Sequence, residues 1–286
     1  MLKPFAALAA LLTILSAPLP ASAAELRFGA FPSSDPDKLL SVMRELGTYL
    51  TEQIGEPVNV VITRDYKETA ARLAEGSLDL AWLGALNYVQ VVEEVPGTRY
   101  LATYVNRSVA TGKVSPYYHS VIVVGANSGI DTLADLKGKR FAFTDPGSTS
   151  GYAYPVHLLR KNGIDPKRDL AKVFFLKRHD RIIDALLSGA VDAGALADDV
   201  YYGKRARYGD ALKVIAQSDP IPMVALVASS RLDAKTAARV QAALVALPPD
   251  HPFCRKVRQV FGWDTAGFQK HDDALYDSVR AVYGRR

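Results

Sequence analysis

Residues 145–152 (DPGSTSGY) form a run of small and hydroxyl-bearing side chains that is typical of an anion-binding turn. The run follows a strand-like segment ending at Thr144 and opens a helical pattern, so its backbone N–H groups lie at the positive end of a helix dipole. Ser148, Thr149 and Ser150 add three hydroxyl donors, and the flanking glycines allow close approach to a ligand. The turn therefore predicts a site for a tetrahedral oxyanion, whose oxygens each need a donor.

Other motifs share parts of this pattern. A single Ser or Thr would be enough to cap the helix, so capping alone is the simplest alternative. The run lacks the Gly-Lys-Ser/Thr ending of a P-loop. It also differs from the nucleophile elbow of hydrolases, because Thr149 stands where the central serine of Gly-x-Ser-x-Gly would be. Anion binding remains the favoured interpretation.

Four further residues are candidates because of where they lie along the chain. His179 and Tyr66 each open a predicted helix behind a strand-like segment, at the sheet edge where open α/β sheets bind ligands. Asn87 lies at the start of another predicted helix, and Tyr118 lies at a predicted crossover between domains. A helix-capping role for His179, a surface role for Tyr66 and a hinge-packing role for Tyr118 stay open.

The elements that must position these residues follow from the hydrophobic pattern. The chain has 286 residues, 49% of them apolar and 23% charged, which is enough for two modest globular domains. Strand-like runs alternate with helical patterns, and this order predicts an α/β fold with parallel βαβ units. Two such series predict two lobes, residues 25–118 plus 222–286 and residues 119–221, with crossovers near 115–120 and 217–224. The cleft between the lobes is the expected ligand site.

Some helices are predicted individually. Apolar residues spaced by three and four positions predict a helix over residues 36–54. A short helix is expected around 131–136, and a longer one from about 150 to 161, behind the hydroxyl-rich turn. Two helical segments, about 233–246 and 271–283, are expected to finish the chain.

The first 24 residues have the layout of a secretory signal peptide, with a positive Lys3, a largely apolar stretch and a small-residue end. The apolar stretch, residues 5–15, is shorter than the ~20 residues that span a bilayer, so an uncleaved anchor is the weaker alternative. The only cysteine, Cys254, is far from the cleavage region, which excludes lipid attachment there and any intramolecular disulfide. A soluble protein of the periplasm is therefore expected.

The composition also speaks against several function classes. The net charge is +5, but no Lys/Arg block exceeds two residues, so a nucleic-acid partner is not expected. The five histidines lack metal-ligand spacing and no carboxylate-rich metal loop is present, so neither a metal nor another cofactor is predicted. An exported phosphatase or other hydrolase, which would need an activated nucleophile or a metal, is the remote alternative.

The turn at residues 145–152 resembles the signature of the phosphate/phosphite/phosphonate-binding proteins of ABC importers, and the similarity extends over most of the mature chain. Further matching segments are residues 65–66, 78–84, 117–121, 133–139, His179 and 189–192. The resemblance implies a type II periplasmic-binding-protein fold, in which each lobe is a mostly parallel sheet flanked by helices. It also implies a monomeric, non-enzymatic protein that captures a phosphorus oxyanion and docks on a membrane permease.

The resemblance also implies roles for individual residues. In this sequence the phosphoryl group would be held by Ser148, Thr149 and Ser150 of the second lobe. His179 of that lobe would donate a further hydrogen bond, and Tyr66 would reach across from the first lobe. Position along the chain singles out the same side chains, so the two arguments agree.

The sequence departs from the aminoalkylphosphonate-binding members of that family. Leu83 follows Trp82 where those members have a tyrosine. Of the two acidic groups that hold the ligand's ammonium in those members, one corresponds to Asp198 or Asp199, and the other falls within residues 220–224, which contain no carboxylate. An ammonium with part of its counter-charge missing would bind poorly in a closed cleft. We therefore expect phosphite, phosphate or a small alkylphosphonate as the ligand, with Asp199 at the site; a solvated helix N-terminus is the alternative for either aspartate.

Two alternatives among binding proteins stay open. The same fold could present its ligand to a membrane kinase, which would make the protein a sensor. A sulfonate or a thiamine precursor could be the ligand, although three adjacent hydroxyls favour a phosphoryl group.

Overall fold

The computed structural model describes residues 25–108 and 111–284 of the chain. The signal peptide predicted over residues 1–24 therefore lies outside the described residues. Within the described ranges, no helix is both long enough and apolar enough to cross a membrane.

The strands are β1 (Leu26–Ala30), β2 (Val58–Ile62), β3 (Leu80–Leu83), β4 (Arg99–Arg107), β5 (Val114–Ser115), β6 (Tyr117–Tyr118), β7 (Ser120–Gly125), β8 (Arg140–Phe143), β9 (Lys172–Phe175), β10 (Ala193–Ala197), β11 (Leu212–Gln217), β12 (Ile221–Pro222), β13 (Ala225–Ala228) and β14 (Thr265–Gln269). The α-helices are α1 (Pro36–Ile54), α2 (Tyr66–Ala74), α3 (Ala85–Glu94), α4 (Tyr154–Lys161), α5 (His179–Leu187), α6 (Asp198–Gly203), α7 (Arg205–Tyr208), α8 (Ala234–Val245), α9 (Pro252–Phe261) and α10 (Asp277–Tyr283).

The larger of the two main sheets has the strand order β14-β4-β13-β3-β1-β2, with β5 paired to β4. β1 runs parallel to β2 and β3, and Phe28 at its centre pairs with Val60 and Leu80. β13 is antiparallel to β3 and β4, and β14 is antiparallel to β4. The sheet thus combines strands from the first part of the chain with two strands from its last part.

The smaller sheet has the order β11-β7-β10-β8-β9 and uses strands between residues 120 and 217. β8 is parallel to β9 and β10, whereas β7 is antiparallel to β10 and β11. A short antiparallel ladder, β6 with β12, pairs Tyr118 with Ile221 and joins the two segments that pass between the sheets. The lobe boundaries predicted beside this ladder stay a prediction.

The α/β class predicted from the sequence is confirmed, but the sheets are mixed rather than mostly parallel. β7 follows β6 after a single residue, and β13 follows β12 after two. A parallel neighbour is normally delivered by a crossover of a dozen or more residues. Because β7 and β13 enter their sheets directly from the ladder, no crossover helix sets them parallel, and both run against their neighbours.

Local sequence signals determine where helix α1 begins and ends. Pro36 occupies the first turn, and the Asp35 carboxylate accepts the N–H of Lys38 at 3.2 Å. Gly55 ends the helix in the left-handed region with a φ of 67°. The bounds agree with the helix predicted over residues 36–54.

Other helix predictions need correction. The helix expected around residues 131–136 is a 3-10 turn over Ala134–Leu136. The chain does not finish with two helices alone, because α9 and β14 lie between them and a 3-10 turn over Asp273–Tyr276 precedes α10. A signal for α9 was present: Phe253, Val257 and Phe261 recur every four residues on its buried face. The five-residue strand β14 offers no comparable period, because it contains a glycine and polar residues at both ends.

Helices cover both faces of each main sheet. On the larger sheet, α1, α8 and α9 pack around Phe28 and Leu46, and α2, α3 and α10 pack around Leu83 and Tyr276. On the smaller sheet, α5 and α6 pack around Ile182 on one face, and α4 packs on the other. Each sheet therefore has a core of its own, and the carboxyl ends of β1, β3, β8 and β10 meet where the two layered units face each other.

Candidate functional site

The hydroxyl-rich turn continues into a widened helical turn. Residues Thr149–Ala153 are π-helical, with the N–H of Ala153 bonded to the carbonyl of Ser148 at 3.1 Å, and α4 begins only at Tyr154. The helix expected from about residue 150 thus starts with a π turn, a feature that recurs at functional sites. The Ser148 hydroxyl oxygen accepts the N–H of Gly151 at 3.0 Å, which makes Ser148 the capping residue of this turn.

Gly151 is required by close packing inside the turn. A Cβ atom added at Gly151 would overlap the hydroxyl and Cβ of Thr144, both of which lie in the buried strand-to-turn connection. We expect Gly151→Ala to cost about 1–3 kcal/mol by overpacking, which corresponds to a melting temperature about 3–10 °C lower for a chain of this size. Differential scanning calorimetry of the purified protein measures this change.

The matched control is Gly125→Ala. A Cβ atom at Gly125 would meet the Cβ of Ser128 at 3.7 Å, an ordinary contact, so the melting temperature should change by less than about 2 °C. Equal melting temperatures for Gly151→Ala and the unmodified protein would show that the turn can relax and is not fixed by this contact.

A small cavity of about 70 Å³ lies between the two sheets, against this turn. One water needs at least ~10–15 Å³ of such space, so the cavity is large enough for a group bigger than a single water. Seven of the eight predicted site residues line the cavity; they are Tyr66, Tyr118, Ser148, Thr149, Ser150, His179 and Asp199. Residues far apart in sequence are thus brought together around a space the size of a small anion.

The hydroxyl-rich turn is held in place by contacts from both units. The Thr149 hydroxyl oxygen accepts the N–H of Leu86, at the start of α3, at 3.0 Å. Its own hydrogen is therefore free to be donated into the cavity. The carbonyl of Ser150 accepts the hydroxyl of Ser120 from β7 at 2.6 Å. All three side chains are at most 2% exposed, so any ligand they meet is shielded from bulk water.

His179 is a neutral donor in this geometry. Its Nδ1 accepts the backbone N–H of Ala197 at 3.1 Å, so the single ring hydrogen of the neutral imidazole lies on Nε2. Nε2 lies 3.4 Å from the Tyr66 hydroxyl, on the other side of the cavity. Burial lowers the pKa of His179 to about 4, with Asp180 opposing the shift. At neutral pH the imidazole therefore offers one N–H and no charge.

Two tyrosines complete the donor set from the opposite side. The Tyr66 ring stacks on Phe31 with centroids 4.1 Å apart, which fixes its orientation. Burial raises the pKa of Tyr66 and of Tyr118 well above the usual range, although hydrogen bonding to Ser148 and Ser150 respectively opposes the rise. Both phenols therefore keep their hydrogens and can donate them.

Asp199 is the one charged side chain among the described residues that line this cavity, which include no lysine or arginine. Its Oδ1 is shielded from solvent and has no hydrogen-bond partner within the described ranges. Burial and the neighbouring Asp198 carboxylate raise the pKa of Asp199 to about 7. From the sequence, either Asp198 or Asp199 could be the acidic residue of the site. The Asp198 carboxylate accepts the N–H of Asp199 at 2.9 Å and borders an adjoining cavity.

Asn87, the eighth predicted residue, is not among the residues that line the cavity, and its role at the site stays a prediction. It is 3% exposed and borders a separate pocket with Asp145, Gly147 and Lys177. From this part of the chain, Trp82 and Gly84 at the end of β3 line the cavity. The Asn87 Oδ1 lies 3.4 Å from where a Cβ on Gly84 would be, and it is buried without a hydrogen-bond partner in the described part of the chain. The Asn87 Nδ2 lies 3.4 Å from where a Cβ on Gly147 would be.

Several lining residues were missed by sequence reasoning. Phe31 directly follows β1, so the rule that ligands bind at carboxyl ends of strands could have found it. Tyr104 is inside β4, and Trp263 lies between α9 and β14, where no sequence pattern points to a cleft. The Nε1 of Trp263 is buried without a hydrogen-bond partner in the described part of the chain.

Contacts around the cavity hold the two units together. Arg178 lies 3.6 Å from the Asp35 carboxylate, and the N–H of His179 donates to the carbonyl of Ser33 at 3.1 Å. Together with the contact between Thr149 and Leu86, these bonds enclose the cavity between the two units. Across residues 25–108 and 111–284, no three His, Cys, Asp or Glu side chains cluster as a metal site would require.

Known proteins similar to this chain bind phosphorus compounds or share its fold. A family described as the periplasmic substrate-binding protein of phosphonate ABC transporters matches residues 28–276. The probable ABC transporter phosphite-binding protein PhnD1 of Prochlorococcus marinus is 28% identical over 198 residues, 67% of this chain and 64% of that protein. The matched region is thus slightly less than two thirds of that relative. The phosphate-import protein PhnD of Mycolicibacterium smegmatis is 27% identical over 277 residues, 90% of this chain and 84% of the relative.

The solved structure of PhnD1 from Prochlorococcus marinus in complex with methylphosphonate superposes with a TM-score of 0.80. It is 23% identical, and the match covers 91% of this chain and 97% of that one. At this identity the similarity shows the fold. The predicted type II periplasmic-binding-protein fold is confirmed.

Proposed function

Because the chain belongs to the periplasmic substrate-binding proteins of phosphonate ABC transporters, we propose that it captures a small phosphorus oxyanion and delivers it to a membrane permease. The enclosed cavity lined by neutral donors is the observation that carries this proposal. A tetrahedral oxyanion can accept several hydrogen bonds at once, and hydrogen bonds to charged acceptors are roughly twice as strong as neutral ones. Ser148, Thr149 and Ser150 would bind from one side with His179, and Tyr66 from the other.

Because the proposed donors lie on both units, ligand binding would favour closure of the two units around the ligand. A ligand shifts an open–closed equilibrium only by its differential affinity for the two states. In an open form, the hydroxyl turn and His179 could bind an anion without Tyr66. In the closed arrangement all of them reach the same 70 Å³, so the anion would bind the closed form more tightly and hold it for docking.

The size and charge of the cavity favour a ligand without an amine. Phosphite, phosphate and methylphosphonate are compact anions of about four or five non-hydrogen atoms, which suits a cavity of about 70 Å³. An aminoalkyl group would add atoms and an ammonium. Among the described residues, Asp199 alone lines the cavity with a carboxyl group, and a buried ammonium without full pairing is costly.

We further propose that the chain acts as a soluble, monomeric binding protein and not as an enzyme. Residues 1–24 would direct export, and Cys254 is buried in the core and far from the chain start. His179 is not placed to act as a base for the hydroxyls of the cavity, because it uses Nδ1 to accept a backbone N–H and holds a hydrogen on Nε2. No nucleic-acid partner is proposed.

Isothermal titration of the mature, ligand-stripped protein tests the ligand class. The panel is phosphite, phosphate, methylphosphonate, 2-aminoethylphosphonate and sulfate. We expect one-to-one binding of at least one amine-free phosphorus oxyanion, at least about tenfold tighter than the aminophosphonate and sulfate, a difference of about 1.4 kcal/mol. Absence of binding by every phosphorus compound would refute the proposal, and a preference for 2-aminoethylphosphonate would refute the amine-free assignment.

A further inference from the structure

Lys177 has a backbone conformation that is unusual for a residue with a side chain. Its φ is 70°, and no other non-glycine residue in the described ranges has a positive φ. In this left-handed region the Cβ atom crowds the backbone, and glycine avoids the crowding because it has no Cβ. Such a conformation persists only where surrounding contacts hold it, and it is frequent at functional sites. Lys177 lies between β9 and α5, two residues before His179.

Hydrogen bonds tie Lys177 to the segment that leads from β8 into the hydroxyl-rich turn. The N–H of Leu176 donates to the carbonyl of Phe143 at 3.0 Å. The N–H of Lys177 donates to the carbonyl of Thr144 at 2.8 Å. The Lys177 ammonium donates to the Asp145 carboxylate, with Nζ 3.1 Å from Oδ2. The backbone and the side chain of Lys177 are thus both anchored on the same short segment.

Asp145 joins this segment to the turn itself. Asp145 is buried, and its Oδ1 accepts the N–H of Gly147 at 2.9 Å. The backbone carbonyl of Asp145 accepts the N–H of Ser148 at 2.8 Å. One buried carboxylate therefore contacts both the loop that precedes His179 and the turn that presents the three hydroxyls.

Asp145 and Lys177 lie outside the cavity in which the ligand would bind. Both line the separate pocket that Asn87 borders, and neither is among the described residues that line the cavity beside the turn. The Lys177 side chain is 56% exposed. A role of this pair in binding therefore passes through the groups that it holds in place.

We propose that the Asp145–Lys177 pair positions His179 against the hydroxyl-rich turn, so that donors from two separate loops converge on one anion. The inference rests on the proposed function, because it concerns the same ligand. Glycine at position 177 would adopt the left-handed backbone without crowding, but it has no ammonium to reach Asp145. A different φ at position 177 would redirect the chain as it enters α5 and move the His179 ring. A displacement of about 1 Å lengthens a hydrogen bond of about 2.9 Å beyond its useful range.

Lys177→Gly separates positioning from folding. The change removes the ammonium and the backbone crowding together, so the melting temperature should stay within about 3 °C of that of the unmodified protein. The Kd for inorganic phosphite or inorganic phosphate should nevertheless rise about fivefold to twentyfold, because the released loop no longer holds the His179 N–H in place. Lys177→Arg keeps a cation that can reach Asp145, and its Kd should stay within about threefold of that of the unmodified protein. Isothermal titration and differential scanning calorimetry measure these effects.

A double-mutant cycle shows whether the pair acts through His179. In the His179→Leu background, Lys177→Gly should raise the Kd by less than about threefold, because no imidazole is left to misplace. A direct attraction between the ammonium and the anion would give the same loss in both backgrounds, and that result would overturn the inference. Asp145→Asn keeps an oxygen for the Gly147 N–H and lacks the charge. In that background, Lys177→Gly should likewise add less than about threefold.

Lys213→Ala is the matched control. It also removes a lysine from an ion pair in the same half of the chain, since Lys213 Nζ lies 2.6 Å from Asp131 Oδ1, and neither residue lines the cavity. Its Kd should equal that of the unmodified protein. A loss as large as that of Lys177→Gly would show that Lys177 contributes net charge and not the position of His179, which would overturn the inference.

Failure of the proposed function and failure of this inference give different results. If neither phosphite nor phosphate binds the unmodified protein, both fail. If either anion binds the unmodified protein and binds Lys177→Gly equally well, the pair has no positioning role, while the proposed function stands.

Discussion

Replacing Ser148 by alanine together with Thr149 by valine should weaken oxyanion binding by about 10²- to 10⁴-fold. Each hydroxyl would donate to a charged oxygen, and such a bond contributes about 1.5–3 kcal/mol, so the pair contributes about 3–6 kcal/mol at about 1.4 kcal/mol per tenfold. Thr149→Val has a further effect, because the Thr149 oxygen accepts the N–H of Leu86 across the cavity in the closed arrangement. Isothermal titration with the tightest phosphorus ligand measures the loss.

The change in Kd can be interpreted only if the double variant is folded. Ser148 caps its turn, so its loss alone costs about 0.5–2 kcal/mol of stability, which thermal unfolding will show. The matched control is Ser128→Ala with Thr132→Val, two exposed hydroxyl residues of the same half of the chain. Its Kd should equal that of the unmodified protein. A folded double variant at 148 and 149 with unchanged Kd would refute the proposed cradle.

His179→Leu should raise the Kd about tenfold to a hundredfold, because it removes the neutral Nε2–H donor while keeping a buried side chain of similar size. His179→Gln can still donate an N–H, and we expect it to recover part of the loss. Because the pKa of His179 is lowered to about 4, the histidine contribution should not change between pH 5.5 and 8. Titration calorimetry of both variants at these two pH values measures it.

His157→Leu is the control for this substitution. His157 is on α4 and lines a different pocket, so its replacement should leave the Kd unchanged. If His179→Leu and His179→Gln both bind as tightly as the unmodified protein, His179 is a structural residue that holds Ala197 and does not contact the ligand. A steep gain in affinity below pH 6 that disappears in His179→Leu would show a charged imidazole instead.

The parts of the site that could be predicted are those whose signal is local. Three adjacent hydroxyls at a helix start identify the oxyanion turn from a few consecutive residues, and a position behind a strand identifies His179 and Tyr66. Seven of the eight predicted residues meet at one cavity, although their contacts with a ligand stay a prediction. Asn87 lies beside the cavity without lining it, and its role at the site stays a prediction.

What could not be predicted depends on contacts between distant segments. Trp263 is in the cavity because α9 and β14 place it there, and no pattern around residue 263 points to a cleft. The direction of β7 and β13 is likewise set by their passage from one sheet to the other and not by their own residues. The tautomer of His179 depends on the backbone N–H of Ala197, eighteen positions away. Such facts appear only once the chain is folded.

In the proposed function, the cavity beside the hydroxyl-rich turn would bind its anion through dipoles, since its described lining contains no lysine or arginine. Dissolved ions screen separated charges beyond about 8 Å at 0.15 M, but they do not weaken short hydrogen bonds inside a water-poor cavity to a comparable degree. The compartment outside the inner membrane exchanges small ions with its surroundings. A cell carrying this protein would therefore keep nearly the same capture strength in dilute and in saline water, where a site built on surface ion pairs would lose affinity as salinity rises.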